Sequence, residues 1–369
     1  MNEENFNKLI RSARGLSVGN SPPEPIILSA RVRLARNLVE YPFPGWAKPE
    51  QKVEVLERCE GALSRISLLK APTILHMEEL TELQKNVLVE CHFISRELSK
   101  ASEGSAVIIS KDGTCAVMVN EEDHLRMQCL FGGMQLKKIW QKIDNIDTNL
   151  EKSLNYAFSS ELGYLTACPT NVGTAMRASA MLHLPGLVLS NQMEKVIRAI
   201  NQLGMTVRGL FGEGSDATGS MFQISNQQTL GESEEAILLK LSSILQTVVE
   251  QEQNARKCLI EDEPTKLLDK LGRAYGVLKS AYILSSTEAM NTLSLMRLAI
   301  DLEVLPEENR VLIDRLFTDI QPAHIQFLLG MKDAKKAQDA QVRDRYRAEI
   351  LREQFEQLPP LNMAKLNIS

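Results

Sequence analysis

Two apolar, β-rich runs, Ala106-Val107-Ile108-Ile109 and Ala116-Val117-Met118-Val119, flank Lys111-Asp112-Gly113-Thr114. Asp-Gly between such runs predicts a tight hairpin, and a hairpin commits this stretch to an antiparallel sheet. The second strand runs straight into Asn120-Glu121-Glu122-Asp123-His124-Leu125-Arg126, which places a dense acidic cluster at a strand end. A second ribbon is predicted from Met205-Thr206-Val207-Arg208 and Ser220-Met221-Phe222-Gln223-Ile224-Ser225, with Gly209, Gly212, Gly214 and Gly219 in the connecting loop. Upstream, Pro22, Pro23 and Pro25 force extended backbone. They precede Ile26-Ile27-Leu28, a short strand candidate that leads into Ser29-Ala30-Arg31-Val32-Arg33-Leu34-Ala35-Arg36-Asn37.

Helical periodicity covers Lys48 to Ser99, with Leu80, Leu83, Val87 and Leu88 at three- and four-residue spacing. Ser233 reads as an N-cap, with Glu234 and Glu235 in the first turn and Ile237, Leu241, Ile244, Leu245 and Val248 on one apolar face. Strand signals end at Asp262-Glu263-Pro264, and helices separated near Pro306 and Pro322 are expected beyond. Met331 to Gln357 is so charged that a long solvated or partner-facing helix is predicted. The 369 residues suit two domains, and 44% hydrophobic with 24% charged residues is the mix of a soluble globular protein. The expected division is an N-terminal segment over 1–25, an α/β (α+β) domain over 26–256 and an α-helical domain over 262–369.

Composition narrows the function classes. No run of about 18 apolar residues occurs and Met1 to Arg11 lacks a secretory apolar stretch, so neither a membrane span nor export is expected. The six cysteines form no Cys-x-x-Cys pair, which argues against a disulfide framework or zinc site and suits a reducing cytoplasm. A net charge of -5 does not favour nucleic acid.

Arginines in four separate segments invite a chemical reading: Arg31 and Arg33, Arg126, Arg177 and Arg208. Residues two apart on a strand share a face. Guanidinium forks satisfy several phosphate oxygens at once, keep their charge, and stabilise a transferring phosphoryl group. No Gly-x-x-x-x-Gly-Lys-Ser/Thr loop and no Asp-Phe-Gly or His-Arg-Asp motif occurs, so neither a P-loop enzyme nor a typical protein kinase is indicated. Glu121, Glu122 and Asp123 crowd like charges, and Glu213 lies in the glycine-rich loop. A guanidinium has a pKa above about 12 and no free lone pair at neutral pH. Two carboxylates can clamp it, aim one nitrogen at phosphorus and accept its proton.

Five blocks, Ser29–Asn37, Asn120–Arg126, Cys168–Pro185, Arg208–Gly219 and Ile224–Leu230, resemble the ATP:guanido phosphotransferases, the family of creatine and arginine kinases, in family order. Asn-Glu-Glu-Asp-His-Leu-Arg and Cys168-Pro169-Thr170-Asn171-Val172-Gly173-Thr174 with the later Arg177-Ala178-Ser179 are long, specific motifs. The resemblance implies a largely antiparallel sheet flanked by helices. It implies ATP and Mg²⁺, the metal being held through ATP oxygens and water with no dedicated protein ligands. It assigns nucleotide contacts to Ser29, Arg31, Arg33, His92, Arg126, to Arg177, Ala178, Ser179, Ala180 and Met181, and to Arg208, Gly209, Leu210, Phe211 and Gly212. It makes Glu122 the catalytic base, Glu213 the second clamp, and Cys168 a thiol beside the guanidinium.

Two departures point within the family. Only 28 residues precede Ser29, where small-molecule guanido kinases carry an N-terminal helical domain, and a helical stretch follows the core instead. Gly214 stands where those enzymes have histidine. Both features resemble bacterial protein-arginine kinases. That implies arginines in proteins as acceptors, a stress-response and protein quality-control role, an activating adaptor, a protease chaperone and a homodimer. Where those kinases carry the regulatory Arg-Asp-x-x-Arg-Ala, this chain has Lys332-Asp333-Ala334-Lys335-Lys336-Ala337, which keeps charge but loses the bidentate fork and so weakens the case for phosphoarginine sensing. A free-arginine or guanidino-metabolite kinase and a catalytically silent ATP-binding adaptor are the alternatives.

Overall fold

The structure, a computed structural model, describes Phe6, Leu9, Ile10 and residues 24–209, 218–330 and 336–366. Its strands are β1 (Ile27–Arg36), β2 (Thr73–His76), β3 (Ala106–Ile109), β4 (Cys115–Val119), β5 (Leu125–Gly132), β6 (Phe158–Ser159), β7 (Gly163–Tyr164), β8 (Met176–His183), β9 (Met205–Gly209) and β10 (Met221–Asn226). Eight of these form one sheet in the order β2-β3-β4-β5-β1-β8-β10-β9, while β6 pairs with β7. Every neighbouring pair in the large sheet is antiparallel.

The β3–β4 hairpin forms as predicted, with Ile109 opposite Ala116 and Gly113 at φ 67, in the left-handed region its turn requires. The second ribbon also forms, as β9–β10. Two expectations change. β1 is ten residues long, so Arg31 and Arg33 lie inside a central strand rather than after it. The helical run from Lys48 to Ser99 is interrupted by edge strand β2, leaving helices α1 (Pro49–Leu63) and α2 (Glu82–Glu90). Pairing with β3 captured Thr73–His76 against the local periodicity.

The register assigns each sheet residue to a face. Ala30, Val32 and Leu34 of β1, Val117 and Val119 of β4, Met127 and Cys129 of β5, Met176, Ala178 and Ala180 of β8, and Phe222 and Ile224 of β10 belong to one buried apolar cluster. α3 (Leu136–Glu151) contributes Ile139, Ile143 and Ile146 to that cluster, and α6 (Glu234–Asp262) contributes Ile237, Leu241 and Leu245. Between them in sequence run α4 (Pro185–Leu189) and α5 (Met193–Gln202). Ser233 caps α6 as expected, its Oγ accepting from the Ala236 N–H at 3.2 Å.

The absence of disulfides inferred from spacing is corrected here. Cys115 and Cys129 are cross-strand partners on β4 and β5 and form a disulfide on the apolar face. Fourteen residues separate them, and only strand pairing brings them together.

The opposite sheet face is covered at its ends and open in its middle. At β2–β4, α2 packs Val87 and Leu88 with Val107, Ile109, Ala116 and Met118. The remaining helices are α7 (Pro264–Ser280), α8 (Ser286–Asp301), α9 (Arg310–Asp319), α10 (Pro322–Gly330) and α11 (Ala340–Glu356). Their core takes in Leu28 and Met221 of the sheet, so the helical layer sits against this face near the start of β1. The charged stretch is not simply solvated, since α11 buries Arg347, Ala348, Leu351 and Phe355. Arg347 reaches the Ile320 and Leu284 carbonyls, both at 2.8 Å, so its charge serves packing. Among the described residues no helix is long and apolar enough to cross a membrane.

Candidate active site

All five arginines lie on the open face. Arg33 is registered against Arg177 on β8 and Gln128 on β5, Arg31 against Ser179, and Arg208 against Gln223, whose other partner is Met181. Arg126 is two residues from Gln128 and therefore shares its side. Strand alternation thus builds a cationic floor across β5, β1, β8 and β9.

The centre of this floor lacks paired anions. Among the described residues, no carboxylate lies within ion-pair distance of Arg31 or Arg33, and the buried Arg33 Nε has no hydrogen-bond partner. Burial and then the charge of Arg126 lower the Arg31 pKa to about 10. Arg33 is pushed well down by burial, then by Arg31, Arg126 and Arg177. Arg177 is lowered by burial and then by Arg208, against the opposing pull of Cys168 and Glu122. Mutual repulsion of this kind is relieved by a bound polyanion.

The acidic cluster separates into three roles. Glu121, its side chain fully enclosed, accepts two bonds from Arg126 Nη1 at 2.6 and 2.7 Å and another from Ser95. Burial opposes its ionisation, but Arg126 and these hydrogen bonds hold its pKa below the ordinary value. Asp123 is buried and accepts from Asn37 Nδ2 at 2.6 Å and the Ala167 N–H at 2.7 Å. His124 accepts from the Leu38 N–H at 3.0 Å and donates to the Pro42 carbonyl at 3.0 Å, and burial lowers its pKa to about 4. Glu122 alone stays exposed, with its side chain in no hydrogen bond among the described residues. Desolvation, then Asp123, with smaller contributions from Glu121 and Glu97, raises its pKa against the pull of Arg126. An exposed carboxylate of raised pKa beside a cationic floor is a better proton acceptor than an ordinary glutamate.

Cys168 opens a wall beside the floor. Its Sγ lies 3.0 Å from Thr170 Oγ1, and its carbonyl accepts from Thr166 Oγ1 at 2.8 Å. Three residues on, Asn171 Oδ1 accepts from Arg177 Nε at 3.1 Å, which aims that guanidinium. Gly173 is required here: a Cβ would fall 2.2 Å from the Thr229 carbonyl. His92 keeps contact with solvent but protein crowds it, and desolvation followed by Arg31 lowers its pKa to about 4.

The floor therefore collects Ser29, Arg31, Arg33, Arg126, Arg177, Ser179, Met181 and Arg208, with Glu122, Cys168 and His92 at its margins. Ala178, Ala180 and Gly209 are not on it. Alternation turns the two alanines into the apolar core, and the Ala178 N–H is taken by Asn226 Oδ1 at 2.8 Å. Gly209 is registered against the core residue Phe222 and shares its side. Leu210, Phe211, Gly212 and Glu213 lie outside the described residues, so the distance from Glu122 to Glu213 is not part of this geometry. Sequence reasoning missed Gln128, which ties the 92–93 turn to the floor, and Asn171, which aims Arg177. Period-two counting from Arg126 would have found Gln128; Asn171 lies within the Cys168–Thr174 motif, but its bond to Arg177 is set by the fold. Among the described residues no group of three or more His, Cys, Asp or Glu is arranged to hold a metal ion.

Residues 54–255 match the family model of the ATP:guanido phosphotransferase C-terminal catalytic domain. This chain belongs to the ATP:guanido phosphotransferase family. It is a phosphotransferase of the guanido kinase class, with ATP as donor. Residues 264–366 match the protein-arginine kinase McsB C-terminal domain. The kinase is 44% identical over 343 residues to a protein-arginine kinase of Pelotomaculum thermopropionicum, covering 92% of this chain and 95% of that one. It is 42% identical over 339 residues to a protein-arginine kinase of Brevibacillus brevis, covering 91% and 94%. Its fold resembles the duplicated taurocyamine kinase from Schistosoma mansoni with bound transition state analog components (TM-score 0.58, 25% identity, 67% of this chain and 36% of that one). It also resembles a lombricine kinase (TM-score 0.56, 24% identity, 68% and 77%).

Proposed function

We propose that this kinase transfers the γ-phosphoryl group of ATP to the guanidinium of arginine residues in proteins. The observation that carries the reading is the crowded arginine floor, in which Arg31 and Arg33 have no carboxylate partner among the described residues, with one unengaged carboxylate, Glu122, at its edge. Its relatives, matched along almost their whole length, are named protein-arginine kinases.

In this reading Arg31, Arg33, Arg126, Arg177 and Arg208 neutralise the phosphate chain, with Ser29, Ser179, Met181 and His92 lining it. Glu121 keeps Arg126 charged and oriented. Glu122 accepts the proton as the N–P bond forms, and Cys168 lies against the guanidinium. The resemblance assigns the second clamp to Glu213 and further nucleotide contacts to Leu210, Phe211 and Gly212. Mg²⁺, when bound, would supply further neutralisation of phosphate charge and, as the resemblance implies, would be held through nucleotide oxygens. The separate helical cluster supports a division into a catalytic unit over 26–256 and a helical unit over 262–369. We further infer a cytoplasmic homodimer working in stress response with an activating adaptor and a protease chaperone.

The test is incubation with MgATP and an unfolded acceptor protein, followed by mass spectrometry under non-acidic conditions. Acid-labile phosphoarginine above a Glu122→Ala control is expected, and its absence would overturn the reading. Free arginine at equal guanidinium concentration should be the poorer acceptor.

A further inference from the structure

We propose that Glu90 is a positioning residue: by holding the N-terminus of α10, it sets the turn that carries His92 to the edge of the arginine floor. The inference rests on the reading of that floor as the nucleotide site.

Glu90 is the last residue of α2, yet its carboxylate makes three hydrogen bonds to α10, more than 230 residues away. It accepts from the Ala323 N–H at 2.7 Å, the His324 N–H at 2.9 Å and His324 Nδ1 at 2.7 Å. A carboxylate at a helix N-terminus satisfies N–H groups that have no partner within the helix and complements the helix dipole. The next residue continues the joint, with Cys91 Sγ 3.6 Å from His324 Nε2. Both His324 and Cys91 are buried, so the last residue of α2 and the one that follows it engage both ring nitrogens of one histidine.

His92 follows at φ 61, a left-handed conformation that a β-carbon disfavours. Such a conformation persists where its surroundings over-determine it. One restraint is the Glu90–Cys91 joint. The other is Gln128, whose Nε2 donates to the His92 carbonyl at 2.7 Å and the Phe93 carbonyl at 3.1 Å. Gln128 is the cross-strand partner of Arg33. Three consecutive residues thus run from the helical layer to the floor, and Phe327 of α10 packs beside them against the α2 cluster. A change in how α10 sits on α2 acts on His92 first.

The test is a double-mutant cycle on ATP affinity, read by displacement of a fluorescent ATP analogue from the full chain. Glu90→Ala and His92→Ala are each expected to weaken ATP binding by about tenfold, and the double variant no more than His92→Ala alone, because the two act through one element. At saturating ATP, Glu90→Ala should keep kcat within about twofold. Unchanged ATP affinity in a folded Glu90→Ala protein, or effects that multiply in the double variant, overturns the proposal. His324→Ala breaks the joint from the α10 side under the same criteria, and decides the matter should Glu90→Ala fail to fold. Wild-type protein that binds no ATP sinks the nucleotide reading and this inference with it. Wild-type binding with unaffected Glu90 and His324 variants sinks this inference alone.

Discussion

Glu122→Gln is the substitution with the clearest expected outcome. The change is nearly isosteric, the residue is exposed, and its side chain has no hydrogen bond among the described residues to lose. Stability should therefore move by no more than about 0.5 kcal/mol, or roughly 2 °C in a protein of this size. The direction is towards greater stability. Its pKa is raised in the fold by desolvation and by Asp123, so the charged form is the disfavoured one and glutamine relieves that repulsion. Arg126 keeps its bonds to Glu121, so the KM for ATP should stay within about threefold. Loss of a general base lowers kcat by about 10²–10⁴-fold, equivalent to about 2.7–5.4 kcal/mol of barrier. The assay is initial-rate phosphorylation of an unfolded acceptor at saturating MgATP, repeated across pH. Wild-type kcat should fall about tenfold per pH unit below a pKa higher than that of an ordinary glutamate, and the variant should lack that limb. A variant retaining kcat within threefold would refute the base assignment. A rate loss that tracks lost ATP affinity or a lowered Tm would show a structural effect instead. Asp123→Ala is the contrasting control. It removes the acceptor for Asn37 and Ala167 and should cost about 1–3 kcal/mol of stability.

Arg33→Met should leave the nucleotide-free protein as stable or more so, since a half-buried charge with no carboxylate partner among the described residues is replaced by an apolar chain, while ATP affinity falls by about 10–150-fold; a destabilised protein with unchanged ATP affinity would contradict this. Glu121→Gln should be least stable relative to wild type above the ordinary glutamate pKa. The folded pKa of Glu121 is depressed, so its contribution is full there and is lost as pH falls through the folded value. Urea unfolding of both proteins from pH 7 downward checks this, and a gap that widens in acid would be the wrong sign. Alkylation of the denatured, unreduced chain should label Cys59, Cys91, Cys168 and Cys258, with Cys115 and Cys129 reacting only after reduction; six labels before reduction would rule out the bridge.

Much of the fold was legible because its signals are local. The Asp112-Gly113 turn, the β9–β10 ribbon and the Ser233 cap each depend on residues within one element or hairpin. Motif spacing likewise identified the family. What misled the reading was long-range pairing that overrides local preference. β2 looked helical until β3 paired with it, and the charged α11 looked solvated until Arg347 found buried carbonyls. Ala178 and Ala180 entered the candidate site as part of a motif, but period-two alternation divides that motif between two faces.

Sequence by itself determined the antiparallel hairpins, the cap and the inventory of five arginines and clustered carboxylates, because these follow from backbone periodicity and residue chemistry. Only the tertiary structure decided which of three adjacent acids stays unengaged. Arg126 claims Glu121 from across a turn, whereas Asp123 is claimed by Asn37, 86 residues away. It also decided that Arg31 and Arg33 face other arginines, with no carboxylate at ion-pair distance among the described residues, since strand order alone brings β5, β1, β8 and β9 side chains onto one surface. Electrostatic partnership depends on distance in space, which a chain's local pattern does not encode.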